Sequence, residues 1–383
     1  MGAGVIQKML KLTAGLLASL VVLFIAGYIV TNPKHPSADS GSARWLEPGL
    51  FDVGQTDFVF VDESRPTDEN RGFPGKPDRT LPTTIWYPEN SDAAHPLIIH
   101  SHGIVSSRSE MSYLAEQLAS YGYVIAAADY PLTSRSTPGG ANAGDVVNQA
   151  ADVSFLIDSV LGLGIDERPF DGAIDTSRIG LTGYSLGGLT TSLATYHPRW
   201  RDPRIRAAVS IAGLHSAFTA KFYETSDIPF LMVAGTADAL VDYQTNAAII
   251  PDRIVNGSLL TIAGGAHLGF AGLAEPAFRL MKNSDTLACS AVPAVLDEGL
   301  GSVFIRIGSA EEGVVVDPNA AGVCETLPPL EAAHPGRQQM ITQIGVLSFF
   351  ESVFAKEASA RAAAHQQLAI AIAADFEEAR FTN

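Results

Sequence analysis

A short glycine-rich motif is the clearest candidate for chemistry in this sequence of 383 residues. Residues 183–188 read Gly-Tyr-Ser-Leu-Gly-Gly and lie between a predicted strand, residues 179–182, and a predicted helix that runs to about Tyr196. A sharp turn from strand to helix strains the backbone of the central serine, and flanking glycines avoid the resulting clashes. The hydroxyl of Ser185 would stand clear at a helix N-terminus, which favours developing negative charge. We therefore predict that Ser185 is a nucleophile.

A serine nucleophile needs a base, and the base needs a carboxylate to orient it. Two later turns supply these groups, because Asp238 and His267 each follow the end of an apolar strand pattern. The order serine, acid, base is the one used where a strand–turn–helix motif carries the nucleophile. Asp242, one turn further on, is the rival acid. His215 is a weaker rival base, since it precedes the acid in the chain.

Two backbone N–H groups are needed to stabilise the oxyanion of a tetrahedral intermediate. The N–H of Leu186 follows the serine directly, and the N–H of Ile104 lies in the loop after the third predicted strand, where Gly103 permits an unusual turn. His100 and His102 flank this turn. Because no carboxylate or further histidine is close in sequence, we interpret them as braces of the site rather than metal ligands, and we predict no metal and no cofactor.

Eight short runs rich in β-branched residues and bounded by Gly, Pro or Asp predict strands. They are residues 58–61, 83–87, 97–100, 124–127, 179–182, 207–211, 230–234 and 259–262. From the third run onward they alternate with helical patterns, among them residues 111–121, 146–161 and 338–354. This pattern predicts an α/β fold with one mostly parallel central sheet, helices on both faces, and an antiparallel edge formed by the two earliest runs.

The N-terminus predicts a targeting segment, residues 1–31, and a linker, residues 32–56. Residues 12–30 are uncharged and almost wholly apolar, and Lys8 and Lys11 precede them. Their length is close to the roughly 20 residues that cross a bilayer, which favours an uncleaved anchor over a cleaved signal peptide. With the two lysines inside, the body would lie outside the cytoplasm, attached to the membrane or, after cleavage, secreted or periplasmic.

The remaining chain predicts one catalytic domain, residues 57–355, with an insertion at 285–335 and a helical C-terminal tail at 356–383. The alternation of strands and helices stops within the insertion, which holds Cys289 and Cys324. An even cysteine count in an exported chain predicts a disulfide between them, with two unpaired buried thiols as the alternative.

The charge of the chain argues against one class of partner. The formal net charge is −16, from 41 acidic and 25 basic side chains, and no stripe of Lys and Arg could follow a phosphate backbone. We therefore predict no nucleic-acid partner. A neutral substrate is mildly favoured over a polyanionic one.

The motifs resemble the α/β-hydrolase superfamily, and within it dienelactone-hydrolase-like proteins, platelet-activating-factor acetylhydrolases and cutinase-like polyester hydrolases. The resemblance is carried by residues 97–131, with His-Ser-His-Gly and Ala-Ala-Asp-Tyr-Pro, by residues 177–188, and by the Asp238 and His267 turns. These segments span most of residues 57–269.

The resemblance implies the same roles for this chain that its residues suggest. Ser185 would be the nucleophile, Asp238 the acid and His267 the base, and the N–H groups of Ile104 and Leu186 would bind the oxyanion. Dienelactone hydrolases carry a cysteine where this chain has Ser185. The insertion at 285–335 also departs from the compact members, and we expect it to cover or reshape the acyl pocket.

Together these observations predict a serine-dependent carboxylic-ester hydrolase that forms an acyl-enzyme with small-acyl, lipid-like or polyester substrates. Tyr184, Leu268 and Phe270 neighbour the triad and would give the substrate pocket an apolar wall. Two alternatives share the fold. One is a serine peptidase or amidase, since triad geometry is common to both chemistries, and the other is a non-catalytic extracellular binding module.

Overall fold

A computed structural model describes residues 31–291, 299–318, 320–325 and 327–383, together with positions 8, 13, 15, 17, 19, 27 and 28. Most of the predicted targeting segment, residues 12–30, therefore lies outside the described residues. Among those that are described, no helix is both long enough and apolar enough to span a membrane.

Nine strands form one central sheet. They are β1 (Val53–Asp62), β2 (Arg79–Pro88), β3 (Ala94–Ser101), β4 (Val124–Ala128), β5 (Ala173–Tyr184), β6 (Ile205–Ile211), β7 (Phe230–Gly235), β8 (Gly257–Ile262) and β9 (Ala379–Thr382). The strand order is β1-β2-β4-β3-β5-β6-β7-β8-β9. Strands β3 to β8 run parallel, while β1 and β2 at one edge and β9 at the other pair antiparallel. The prediction of a mostly parallel sheet with an antiparallel N-terminal edge is confirmed.

Helices cover both faces of the sheet. They are α1 (Ala43–Leu46), α2 (Ser112–Ser120), α3 (Val146–Gly162), α4 (Leu186–Tyr196), α5 (Ala220–Tyr223), α6 (Tyr243–Asn246), α7 (Ile250–Arg253), α8 (Ala274–Phe278), α9 (Asp285–Ala291), α10 (Gly299–Ile307), α11 (Pro335–Phe354), α12 (Ala358–Gln366) and α13 (Ile372–Asp375). Apolar residues of α3, α4 and α10 pack in the core on one face. Those of α2, α11 and α12 pack on the other, as expected for near-continuous apolar strands.

The segment before β1 differs from the predicted linker because it packs on the body. Trp45 is buried in the core, and the side chain of Gln117 donates to its carbonyl oxygen at 2.8 Å. Arg337 donates to the carbonyl oxygen of Lys34 at 2.6 Å. These bonds satisfy backbone groups that a free tether would leave to water.

The C-terminal segment also differs from the expectation of a purely helical tail. Helix α12 packs beside α11 in the core, but the chain then extends and forms β9. Strand β9 pairs antiparallel with β8, from Leu259 opposite Thr382 to Ile262 opposite Ala379. The tail therefore covers the last edge of the parallel sheet.

The predicted insertion contains two helices that belong to the main body. Phe304 and Ile307 of α10 are buried against the core face that α3 and α4 cover. Helix α9 is joined by the predicted disulfide, between Cys289 and Cys324, to the loop that precedes α11. Helix α9 lies beside the turns that follow β7 and β8, and its contacts there shape the site.

Candidate active site

Ser185 occupies the turn between β5 and α4, and its backbone is held in an unusual conformation. Its φ and ψ are 56° and −118°, a region that residues with a side chain rarely adopt. The turn closes only because its neighbours are small: a Cβ on Gly187 would lie 1.9 Å from the carbonyl oxygen of Ser101, and one on Gly183 would lie 2.0 Å from that of Gly187. The N–H of Ser185 donates to the carbonyl oxygen of Ile211 at 2.8 Å, which fixes the turn to β6.

The structure brings Ser185, His267 and Asp238 into one chain of hydrogen bonds. The Nε2 atom of His267 lies 2.9 Å from Oγ of Ser185, and its Nδ1 atom lies 2.7 Å from Oδ2 of Asp238. An ionised carboxylate only accepts hydrogen bonds, so Nδ1 carries a proton and Nε2 is left to accept from the serine hydroxyl. This is the tautomer that lets a histidine act as a base towards serine.

Asp238 is positioned by its own turn after β7. Its second oxygen, Oδ1, accepts from the N–H groups of Leu240 and Val241 at 2.9 and 2.8 Å. The rival acid, Asp242, is instead the N-cap of α6, because its Oδ1 accepts from the N–H and the hydroxyl of Thr245. The carboxylate of Asp242 therefore stabilises the first turn of α6.

The rival base, His215, belongs to a separate buried network. Its Nε2 atom lies 3.0 Å from Oγ of Ser210, and its Nδ1 atom lies 2.9 Å from the hydroxyl of Tyr223. Burial, with the positive charge of Arg253, lowers the pKa of His215 to about 3. His215 is therefore a buried, neutral imidazole that links Ser210 in β6 to Tyr223 in α5.

Two side chains that sequence reasoning did not single out hold the turn of His267. Oδ2 of Asp285 accepts from the N–H of His267 at 2.9 Å, and Oδ1 accepts from that of Leu268 at 2.8 Å. The amide of Gln338, in α11, accepts from the N–H of Ala266 and donates to its carbonyl oxygen, at 3.0 and 2.7 Å. The only local signal was the polar stretch Asn-Ser-Asp at 283–285 ahead of an apolar run, which is typical of a helix start.

The predicted oxyanion donors face the same cavity as Ser185. Ile104 and Leu186 both line it, and within the described residues neither backbone N–H donates to a protein acceptor. Val105, directly after Ile104, has a φ of 59°, a strained value for a β-branched residue. Its N–H donates to the carbonyl oxygen of Thr133 at 2.8 Å, which keeps the loop in place.

The histidines beside this loop brace it, as the sequence suggested. His102 donates from Nδ1 to the carbonyl oxygen of Gly103 at 2.7 Å and accepts at Nε2 from the N–H of Tyr130 at 3.1 Å. Glu110, which sequence reasoning missed, accepts from the N–H of Gly103 at 2.9 Å and lies 3.3 Å from Nε2 of His100. In the described part of the chain, no cluster of three or more His, Cys, Asp or Glu could hold a metal ion.

A mostly apolar cavity of about 390 Å³ opens at Ser185. One wall comes from residues 103–106, in the loop after β3, and another comes from α9 and the loop that contains Cys324. The apolar residues of the second wall are Leu287, Ala288, Ala291 and Val323. Residues of the segment predicted as an insertion therefore line the cavity.

The predicted pocket residues do not all reach the cavity. Tyr184 and Leu268 line it, and the hydroxyl of Tyr184 donates to the carbonyl oxygen of His267 at 2.9 Å. Phe270 differs from the expectation, because it is fully buried beneath Tyr184, with 6.3 Å between the ring centroids. Phe270 therefore packs against the side of Tyr184 that faces away from the cavity.

The electrostatic surroundings of His267 favour its protonated form. Burial alone would lower the pKa of this imidazole, since it removes the charged form from water. The charge of Asp238 and its hydrogen bond, with smaller contributions from Asp285 and Glu110, outweigh burial and raise the pKa above its ordinary value of 6.5. His267 can therefore accept the proton of Ser185 and hold it.

This sheet order, the strained turn that carries Ser185, and the hydrogen bonds from serine to imidazole to carboxylate define a serine hydrolase of the α/β-hydrolase fold. A family model described as PET hydrolase-like matches residues 79–275, slightly more than half of the chain. The chain belongs to this family, and it is a serine-dependent carboxylic-ester hydrolase.

Its relatives are distant in sequence. A cutinase from Thermobifida fusca (strain YX) is 22% identical over 276 residues, which cover 69% of this chain and 79% of the relative. Cutinase 1 from Thermobifida cellulosilytica is 24% identical over 193 residues, 48% of this chain and 64% of the relative. A solved ferulic acid esterase from Streptomyces cinnamoneus has the same fold, with a TM-score of 0.50, 20% identity, and coverage of 81% of this chain and 95% of that one.

Proposed function

We propose that Ser185 attacks the carbonyl carbon of an ester bound in the cavity and forms an acyl-enzyme. The observation that carries the proposal is the continuous path from Oγ of Ser185 through His267 to Asp238, at 2.9 and 2.7 Å. Nε2 of His267 takes the serine proton and later gives it to the leaving alcohol. Asp238 keeps the proton on Nδ1 and stabilises the imidazolium.

The tetrahedral intermediate would be stabilised by two fixed backbone donors. As the carbonyl oxygen becomes negative, it accepts from the N–H groups of Ile104 and Leu186, which are already in place and need no rearrangement. Leu186 is also the first residue of α4, so the helix N-terminus adds positive potential. Water, activated by His267, then hydrolyses the acyl-enzyme. None of these steps uses a cofactor.

We propose that the substrates are esters with apolar acyl or aromatic groups, including polyester-like chains. The side chains around the cavity are largely aliphatic, so they bind such groups by excluding water. The names of the relatives, cutinases and a PET hydrolase-like family, support the polyester-like part of this range.

A panel of p-nitrophenyl esters and peptide anilides tests this function, with release of polyester fragments as a further readout. Ser185→Ala should abolish ester hydrolysis while the protein remains folded. Ser192→Ala is the matched control, because that hydroxyl is buried in the same helix and bonds only to the carbonyl oxygen of Gly188 among the described residues. Anilide cleavage that exceeds ester cleavage, or activity that survives in Ser185→Ala, would refute the proposal.

We also propose that the chain is exported and that residues 12–30 direct it to the membrane, as an anchor or as a cleaved signal. Support comes from the disulfide between Cys289 and Cys324, because such bonds are typical of exported proteins. Cell fractionation with mass analysis of the mature N-terminus tests it, and a cytoplasmic product with free thiols would contradict it.

A further inference from the structure

Helix α9 begins with a fully buried carboxylate that joins the two catalytic turns. Oδ2 of Asp285 accepts from the N–H of Ala239, next to Asp238, at 3.0 Å, and from the N–H of His267 at 2.9 Å. Oδ1 accepts from the N–H of Leu268 at 2.8 Å. We propose that Asp285 is a positioning residue for the ester-hydrolase reaction, which fixes the spacing of Asp238 and His267 and places a second negative charge beside the imidazole.

The three bonds constrain the spacing of residues that are far apart in sequence. Ala239 lies in the turn after β7, whereas His267 and Leu268 lie in the turn after β8. The ends of the two turns nearest the sheet are already joined, because the N–H of Ala237 donates to the carbonyl oxygen of Gly265 at 2.9 Å, but among the described residues no backbone bond joins Ala239 to His267 or Leu268. A single carboxylate that accepts from both therefore fixes the distance from Asp238 to the imidazole, and an error of about 1 Å in such a distance can cost about 100-fold in rate.

A second set of bonds closes around the same point. The carbonyl oxygen of Ala239 accepts from the N–H of Cys324 at 2.8 Å, and Cys324 is disulfide-bonded to Cys289 in α9. Asn283, two residues before Asp285, donates to the carbonyl oxygen of Ala237 at 3.1 Å. The backbone on both sides of Asp238 is therefore tied to α9 and the residues that precede it.

The hydrogen-bond partners of Asp285 favour its ionised form. Among the described residues, all three hydrogen-bond partners of its carboxylate are N–H donors, so a protonated oxygen would lose one of these bonds. Burial and the charge of Asp238 nevertheless raise the pKa of Asp285, while His267 lowers it. As the imidazole takes the serine proton, its positive charge stabilises both carboxylates, which in turn stabilise the imidazolium.

Asp285→Asn keeps the size of the side chain and removes its charge, while the amide oxygen can still accept N–H bonds at one of the two oxygen positions. We expect kcat to fall about 10- to 100-fold, as for other partners that orient a functional ligand, with KM changed less than about threefold. The charged groups around His267 are Asp238, Asp285 and Glu110. Because all three raise the pKa of His267, the acid limb of kcat/KM should move to lower pH when Asp285 loses its charge.

The matched control is Asp242→Asn, since Asp242 also accepts from a backbone N–H but caps α6 and has no hydrogen bond with His267 among the described residues. It should leave both kcat and the acid limb unchanged. An Asp285→Asn enzyme with an unmoved acid limb, or one in which only KM changes, would overturn the inference.

A second variant keeps the test decisive if Asp285→Asn does not fold. Asp285→Glu retains the charge in a longer side chain, so the acid limb should stay near the wild-type position while kcat falls. If neither variant folds, Asp285 acts in folding and the positioning role is refuted. The inference rests on the proposed triad, but its failure is distinguishable: an inactive Ser185→Ala with a normal Asp285→Asn would refute only the role of Asp285.

Discussion

The two halves of the active site are positioned in different ways. Ser185 is placed by its own backbone, through a strained turn between β5 and α4 that glycines make possible. Asp238 and His267 lie on longer turns, and His267 depends on side chains from α9 and α11 for its backbone bonds. The serine turn therefore depends on glycines adjacent in sequence and on one backbone bond to β6, whereas the turn of the base depends on the side chains of Asp285, 18 positions from His267, and Gln338, 72 positions from Ala266.

This difference separates what each half can tolerate. A side chain larger than that of glycine in the serine turn would clash with backbone atoms, and a side-chain movement cannot relieve that clash. Loss of a hydrogen bond that holds the His267 turn leaves the sheet intact and changes only the placement of His267 relative to Asp238. The second half can therefore lose activity in steps, and four variants test this, in order of decreasing expected loss of free energy.

The largest effect is expected where the acid itself is changed. Asp238→Asn should lower kcat by about 10⁴, because the amide no longer holds the proton on Nδ1 of His267. The protein should remain folded, since the amide oxygen can still accept from the N–H groups of Leu240 and Val241. Steady-state kinetics with a p-nitrophenyl ester measures the loss. Asp242→Asn is the control, and a greater loss there would reverse the assignment of the acid.

Removal of the disulfide should have the next largest effect, on stability rather than on chemistry. The bond closes a loop between positions 35 apart, which the chain-entropy model values at roughly 3 to 4 kcal/mol. The double variant Cys289→Ser and Cys324→Ser should therefore unfold several degrees lower in a thermal scan. Treatment of the wild type with a reductant should reproduce the shift. A midpoint within about 1 °C of the wild type would show that the contacts of α9 suffice without the bond.

Loss of the support from α11 should cost less. Gln338→Leu leaves the N–H of Ala266 unpaired in a buried site, which costs about 1 to 3 kcal/mol, while its carbonyl oxygen keeps the bond from the N–H of Gly269 at 3.2 Å. We expect lower stability and a kcat reduced about tenfold, measured by denaturant unfolding and ester hydrolysis. Gln343→Leu is the matched control on the same helix, because its amide contacts only the carbonyl oxygen of Tyr113 among the described residues. Equal losses in both variants would contradict the role of Gln338.

The smallest effect is expected at the cavity wall. Ala288 lines the cavity on α9, so Ala288→Phe would fill part of its volume of about 390 Å³. We expect kcat/KM to fall about tenfold for octanoyl esters, or about 1.4 kcal/mol, and to stay near the wild-type value for acetyl esters. The acetyl ester is thus an internal control. An equal loss for both esters would place the acyl chain elsewhere.

The same contrast explains which features the sequence predicted. The serine turn is contiguous, so its glycines, strand and helix were visible in one stretch of 183–188 and its neighbours. Glu110, Asp285 and Gln338 act through the backbone of distant residues, and neither composition nor periodicity indicates such a partner. Asp285 was instead assigned to the start of an insertion, because the alternation of strands and helices ends there.

The parts of the fold that differed from expectation have a similar cause. Residues 31–47 are rich in Pro, Ser and Gly, a composition typical of linkers, but side chains from Gln117 and Arg337 bind their backbone. Strand β9 has only four residues after an Ala-rich helix, too few for a period of two to be recognised. Both elements depend on long-range contacts rather than on local patterns.

The pairing of β9 with β8 has a consequence for hydrogen exchange. The chain leaves the sheet after β8 and returns to the same strand at β9, and the described residues between these strands include His267, Asp285, the disulfide and Gln338. Segments of this kind can open as cooperative units while the central strands stay closed. Amide protons of β9, α9 and the His267 turn should therefore exchange together and faster than those of β3, β5 and β6. His267 would then leave its catalytic position while the central sheet is still folded.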